Sequence, residues 1–450
     1  MSSPAPSSAF FRRAVCVISL AAGVVVQALG LNAAFAYEFA TDTGEPDGNR
    51  LRWELGEPVH LTQHIDGSGA LPAWLLHAEA RKAFQTWASL PEADVQFVED
   101  AVFAGVQCPH SLPEGSDAQE ICGGLLPPHD FRSALFFIET VWPFGEEVIA
   151  LTTLSWQEGG GLVDADIAFN GLDYEWTTST EDVRVDFQSI ALHEIGHFMG
   201  LAHSTEEDAV MKVDYEEGDL VREVGADDRA GLAALYPCNS PPCVGGVVVE
   251  NGGCSATGLP VQRLWGVLLG ALVLVLSVRS ARARRAAGGA VLLGVLLLVP
   301  SSPQSSTVLA LDIDALTERA DRVVRARVLA TDSWRDGIVW TRVTLEVSED
   351  WLGSGPRLIE LVQPGGTVRG FGTLVFGVPR FTEGEDVVVF LDESRVLGLA
   401  QGKFSVRPEG GLQRDLRQLS LARVGLHRAP AVIAAPKTLA QLRSSVVDDL

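Results

Sequence analysis

The stretch His193-Glu194-Ile195-Gly196-His197-Phe198-Met199-Gly200-Leu201-Ala202-His203 constrains this chain more than any other. Its spacing, H-E-x-x-H-x-x-G-x-x-H, asks for a helix followed by a reversal. On a helix, residues four apart share a face, so His193 and His197 can put two imidazoles on one point, with Glu194 beside it. To return His203 to that point, the chain must leave the helix and turn back within six residues of His197. Gly200, free to take positive φ, stands where that turn is needed. Three imidazoles beside a carboxylate make a zinc hydrolase site. Zinc with three protein ligands and a water in fourth place lowers that water's pKa toward neutrality, and Glu194 can take the proton as the water attacks a carbonyl. With only nine histidines and three methionines in 450 residues, composition does not account for three histidines here and Met211 just beyond them.

On these residues the segment resembles the metzincin clan. Ser204, which follows the third histidine, is similar to the matrixins (peptidase family M10 type); an astacin would show Glu there and an adamalysin-type enzyme Asp. The resemblance implies His193, His197 and His203 as ligands of one catalytic Zn2+, Glu194 as general base, Met211 as the Met-turn under the metal, and Tyr215 as a further catalytic group. Val213 departs from the matrixin pattern, which usually has proline there, in the wall of the specificity pocket. Covering roughly Leu51 to Pro237, the resemblance implies an α+β fold, a twisted mixed sheet with a zinc-binding helix and a closing helix. It also implies a secreted or membrane-tethered endopeptidase acting on protein or peptide substrates. The rival is a catalytically inactive metzincin-fold surface protein that binds partners. Three histidines plus Glu194 leave a fourth position open, whereas structural zinc sites close it with another protein ligand.

Residues 1–36 read as a signal peptide, with Arg12 and Arg13, the apolar stretch Ala14 to Leu31, and Ala34-Phe35-Ala36 as cleavage site. The protease domain is then 37–237, facing an oxidising compartment. Cys108 with Cys122 and Cys238 with Cys243 are the candidate disulfides, leaving Cys254 over. Few residues and no cysteine separate Ala36 from the first domain strand. The matrixin thiolate-on-zinc latch is therefore expected to be missing, and activity to need no processing. Leu71 to Leu90 shows helical spacing with Pro72 near its start. DVQFVED, SALFFIETVW, EVIALTTLSW and GLVDADIAFN read as strands, and residues 104–133 as a pinned surface loop.

Asp186 can cap the zinc helix, and GADDRAGLAALYP reads as the closing helix, where Asp227 and Asp228 match a matrixin acidic pair with a structural role. His60, His64 and His77 have no second spaced ligand set and read as structural. No histidine lies between His129 and His193, so the second, structural zinc of matrixins is not expected. Asp164, Asp166 and Asp173 are the candidate Ca2+ ligands, but without a recognised loop spacing they read as surface carboxylates.

Residues 238–260 form a Cys, Gly and Pro linker. The apolar runs Val261–Val278 and Ala286–Pro300 flank Arg279, Arg282, Arg284 and Arg285, so 261–300 reads as a transmembrane helical hairpin with an Arg-rich cytoplasmic turn. Gly252-Gly253-Cys254, an apolar helix and an arginine cluster resemble the C-terminal sorting tails of myxobacterial surface proteins. An exported, membrane-anchored protein of the cell envelope follows, with both globular domains outside the cytoplasm. Residues 308–427 open with a short helix (IDALTERA) and continue in RVVRARVLA, IVWTRVTLEV, LIELVQP and DVVVFLDE, a small β-rich barrel or sandwich. Residues 428–450 are a tail with a short helix. The formal net charge of −24 leaves no basic footprint for nucleic acid.

Overall fold

The computed structural model describes residues 36–103, 132–249, 307–423 and 436–447, apart from positions 65, 140, 141, 182, 213, 217, 240, 241 and 244. Strands β1 (Val59–Gln63), β2 (Gln96–Glu99), β3 (Ala134–Ile138), β4 (Val148–Gln157) and β5 (Gly161–Asn170) lie in the order β4-β5-β3-β1-β2. β4 runs antiparallel to β5, while the other pairs are parallel. β3 and β4 are near-continuous apolar runs buried on both faces, the pattern of strands covered from two sides.

Helix α1 (Ala73–Ala88) buries Leu76, Ala80, Ala83, Phe84 and Trp87, one face at helical spacing. The strand pair β6 (Trp176–Thr177) and β7 (Val185–Asp186) leads into α2 (Phe187–Phe198), which is buried on all sides. Trp87 Nε1 donates to the Leu192 carbonyl at 2.8 Å, tying the two helices through the core. Strand β8 (Asp214–Glu216) and helix α3 (Ala226–Leu235) follow. β9 (Gly246–Val249) adds to the far edge beside β2, next to the Cys238–Cys243 disulfide. The Cys108 and Cys122 pairing, Cys254 and the signal peptide lie outside the described residues.

The C-terminal module contains β10 (Thr307–Leu309), α4 (Ile313–Arg319), β11 (Arg322–Asp336), β12 (Ile338–Leu352), β13 (Leu358–Pro364), β14 (Gly366–Val368) and β15 (Phe371–Val375). β16 (Asp386–Asp392), β17 (Arg395–Val396), β18 (Lys403–Val406), β19 (Leu412–Gln413), β20 (Ser420–Arg423) and α5 (Leu439–Val447) complete it. Most of these strands make a seven-stranded sheet ordered β13-β12-β11-β16-β18-β19, with β17 on β16. The others do not stay with it. β10, β14, β15 and β20 join the first sheet and bring it to eleven strands, ordered β8-β20-β10-β4 on the near side.

The α+β mixed sheet is present, but the two apolar helices are corrected. Among the described residues no helix is long and apolar enough to cross a membrane. A span needs about 20 apolar residues in one helix, and α1, an amphipathic helix, has 16. An apolar run is a composition, and composition alone does not make a span. The transmembrane hairpin at 261–300 lies outside the described residues. With it go the sorting tail, the membrane as partner and the membrane-anchored envelope location.

Candidate metal centre

Helix α2 begins on Asp186, whose Oδ2 accepts from the Ser189 backbone N–H at 2.9 Å. That cap satisfies a donor the helix cannot satisfy itself, and the Arg222 guanidinium pairs with the same buried carboxylate. The Asp186 N–H donates to the Tyr215 hydroxyl at 3.1 Å, and that hydroxyl donates to the Asp219 carbonyl at 3.3 Å. At the other end Gly200 takes φ +90°, and a Cβ there would lie 2.0 Å from the Leu51 carbonyl oxygen. Only glycine fits both the turn and the neighbouring backbone.

This reversal brings the three histidines together. His193 Nε2 lies 2.9 Å from His197 Nε2 and 2.9 Å from His203 Nε2. His193 Nδ1 sits 2.8 Å from the Val210 carbonyl, and His197 Nδ1 sits 2.8 Å from the Leu201 carbonyl. A carbonyl only accepts, so each Nδ1 carries the proton and each Nε2 turns a bare lone pair inward. Burial holds His193 down to about 4 and keeps His197 and His203 well below the usual imidazole range. All three are therefore neutral at pH 7. Lone pairs crowded this closely repel unless a cation lies among them, and neutral imidazoles in this number suit Zn2+. Among the described residues this is the group that could hold a metal.

Glu194 is fully buried beside the triad. Its Oε2 accepts from Thr152 Oγ1 at 2.5 Å and its Oε1 from Thr307 Oγ1 at 3.1 Å. Desolvation pushes the carboxyl up to about 7, against the pull of those two hydroxyls. Met211 packs against the helix turn between the ligands, since a Cβ on Gly196 would lie 2.2 Å from its Sδ.

The acidic pair does more than start a helix. Asp228 accepts from the Val210 and Met211 backbone N–H groups at 2.6 and 3.1 Å, which fixes the chain carrying the Met-turn. Asp227 accepts from the Ser204 hydroxyl at 2.6 Å and the Ala36 N–H at 2.7 Å, which fixes the chain just past His203.

His60, His64 and His77 stand apart from the triad: His60 Nδ1 lies 3.0 Å from Asp100, and His77 Nε2 lies 2.8 Å from the His64 carbonyl. Asp164 and Asp166, read as surface carboxylates, are buried. Asp166 accepts from the Ala134 N–H at 3.1 Å, so it holds β3, whereas Asp173 is exposed and accepts from Asn170. Three residues at the site had no sequence signal: Thr152, Thr307 and Phe376, whose ring centroid lies 4.6 Å from that of His197. A threonine within an apolar strand carries no motif. Thr307 and Phe376 arrive from a part of the chain in which no site was legible.

Residues 152–237 match the matrixin family. Metalloendoproteinase 5-MMP of Arabidopsis thaliana is 34% identical over 106 residues, 22% of this chain and 29% of that protein. Metalloendoproteinase 4-MMP of the same plant is 25% identical over 194 residues, covering 42% of this chain and 49% of its own length. Matrix metalloproteinase-2 of Drosophila melanogaster is 40% identical over 78 residues, 17% and 10% of the two chains. The chain thus spans less than half the length of these relatives. Within the matched segment, the matrixin likeness and the histidine triad together support a zinc metalloendopeptidase.

Proposed function

We propose that this chain hydrolyses internal peptide bonds of protein or peptide substrates, with its catalytic machinery in residues 37–237 and a β-rich module in 308–427. The observation that carries this is the convergence of three imidazole nitrogens beside a buried carboxylate. His193, His197 and His203 would hold the metal. Zinc bound there supplies a Lewis acid and acidifies a water toward neutrality. Glu194 would take the proton of the attacking water and pass it to the leaving amine, so its unprotonated carboxylate is the working form. Thr152 orients that carboxylate by donating to Oε2, while Met211 packs behind the ligand-bearing turn.

Tyr215 has its hydroxyl engaged at the start of α2. His193 is seven residues further on, about 10 Å along a helix that rises about 1.5 Å per residue. That supports a positioning role for Tyr215, holding the helix start, over contact with the reacting atoms.

The test is zinc content together with cleavage of a fluorogenic peptide library. One zinc per chain is expected, with hydrolysis that stops on chelation and in Glu194→Ala. A zinc-loaded chain that cleaves nothing, either as the parent or as the opened variant described below, would overturn the reading and favour a binding protein.

A further inference from the structure

An endopeptidase must lay an extended chain past its metal, and a sheet edge with unpaired backbone groups is the usual place to do so. In this fold that edge is the outer side of β4. It is covered along nearly its whole length. Thr307 and Val308 of β10 pair antiparallel with Ala150 and Val148, and Phe371–Val375 of β15 pair antiparallel with Gln157–Thr153. Between them the Phe376 N–H donates to the Thr152 carbonyl at 3.3 Å.

The covering continues across the metal centre. β20 runs parallel to β10 on one side and to β8 on the other, with Leu421, Ala422 and Arg423 opposite Asp214, Tyr215 and Glu216. Two strands of the C-terminal module thus bridge from β4 to the chain that follows Met211. Thr307 then donates to Glu194, and Phe376 lies over His197. The result is that His193 is 6% exposed and Glu194, His197 and His203 are 0% exposed. While these strands stay in place, a polypeptide has no open path to the centre.

We propose that the C-terminal module is an internal plug, whose strands β10, β15 and β20 occupy the place of an extended substrate and hold the protease latent until they are displaced. The proposal rests on the endopeptidase reading. The thiolate latch is expected to be missing upstream of the catalytic domain; the plug lies downstream of it.

The seams carry polar contacts beside a shared apolar core. Arg423 faces Asp214 and Glu216 at 3.7 and 3.5 Å, Arg319 pairs with Glu146 at 3.1 Å, and Gly398 N–H donates to Glu147 at 2.8 Å. A plug on the same chain competes with substrate intramolecularly, at an effective concentration that can reach roughly millimolar, so a weakly bound peptide loses to it.

Two variants of the full chain test the plug without touching the metal centre. Gly372 of β15 lies against Trp156 of β4, and a Cβ there would meet ring carbons at 2.2 Å, so Gly372→Val should push β15 off the edge. Ser155 and Thr373 are directly opposed, with hydroxyl oxygens 3.5 Å apart, so Ser155→Cys with Thr373→Cys should lock the plug by an oxidisable bond. The readouts are kcat/KM on a fluorogenic peptide and binding of a fluorescein-labelled peptide hydroxamate to the zinc-loaded chain. Gly372→Val should raise both about tenfold or more. The oxidised double-cysteine chain should lose both and recover them in dithiothreitol, with the parent in the same reductant as control. If the locked chain binds the hydroxamate as tightly as the reduced one, the plug is wrong, whatever Gly372→Val does. If hydroxamate binding follows the lock yet no peptide is cut in any form, the plug stands and the endopeptidase reading falls.

Discussion

Thr152 and Thr307 both donate to the carboxylate of Glu194, but from regions of different character. Thr152 stands on β4, inside the segment that carries the chemistry. Thr307 comes 113 residues after Glu194, from the first strand of a module with no catalytic residue of its own in view. The first region builds the centre and the second shuts it. Chemistry is therefore fixed by contacts within the first region, while access is fixed by contacts that reach it from the second. Both sets meet in one core, since Leu309, Leu374, Phe376 and Ala422 pack into the same cluster as Phe198, Met199 and Met211.

The largest expected effect falls on the chemical region. Glu194→Ala should keep its zinc, because the three imidazoles are untouched, and lose about 10²–10⁴-fold in kcat/KM, the usual cost of losing a general base. Thr307→Ala should not follow it: with Thr152 still holding Oε2, activity should stay level or rise as the plug loosens. Parallel assays on the parent and the two variants decide the matter. Equal losses in both would dissolve the distinction between the region that builds and the region that shuts.

Metal removal should separate the two regions by stability. Zinc that binds only the folded state at a thousand times its Kd stabilises by about 4 kcal/mol. Chelation should therefore lower the melting temperature of the catalytic region, while α5 and the seven-stranded sheet of the module, with cores of their own, hold. Hydrogen exchange resolved by segment would show it. Uniform loss of protection across β11, β12 and β16 would mean that the halves unfold as one.

The same divide explains what could be read from the chain alone. The triad, the glycine turn at Gly200, the cap at Asp186 and the strands β2 to β5 each follow from residues within about a dozen positions of one another, and each was legible as periodicity or spacing. The burial of Asp164 and Asp166 was not, because it depends on β4 being covered rather than exposed. Nor was the departure of β10, β15 and β20 from their own module. Short apolar segments such as Thr307–Leu309 pair with whichever edge the tertiary fold offers, and nothing local names that edge. The expected membrane hairpin rested on apolar composition at 261–300, outside the described residues, among which no helix is long and apolar enough to cross a membrane.

A smaller effect is expected at Gly196, between the two helical ligands. Gly196→Ala would set a methyl group 2.2 Å from Met211 Sδ and 3.1 Å from Trp87. The methionine can shift but Trp87 is held by its bond to Leu192, so overpacking should cost about 1–3 kcal/mol. Because the Met-turn backs the ligands, zinc affinity should fall with stability. A drop in melting temperature with unchanged zinc affinity would show that Met211 supports the fold but not the metal.

The smallest effect belongs to the edge of the sheet farthest from β4. Cys238 and Cys243 close a loop with a sequence separation of only five, and a loop that short constrains the unfolded chain by about 2 kcal/mol at most. The loop is also held by backbone bonds, Cys243 N–H to the Pro91 carbonyl at 3.1 Å and Cys238 N–H to the Glu92 carbonyl at 3.4 Å, so part of the constraint survives reduction. β9 pairs with β2 on that side, and β1, β3 and β5 intervene before β4 is reached. Cys238→Ser with Cys243→Ser should therefore lower the melting temperature slightly and leave zinc affinity, kcat/KM and hydroxamate binding where they were. If peptide cleavage rises instead, the distant edge helps to seat the plug, and building and shutting are not confined to the two regions assigned to them.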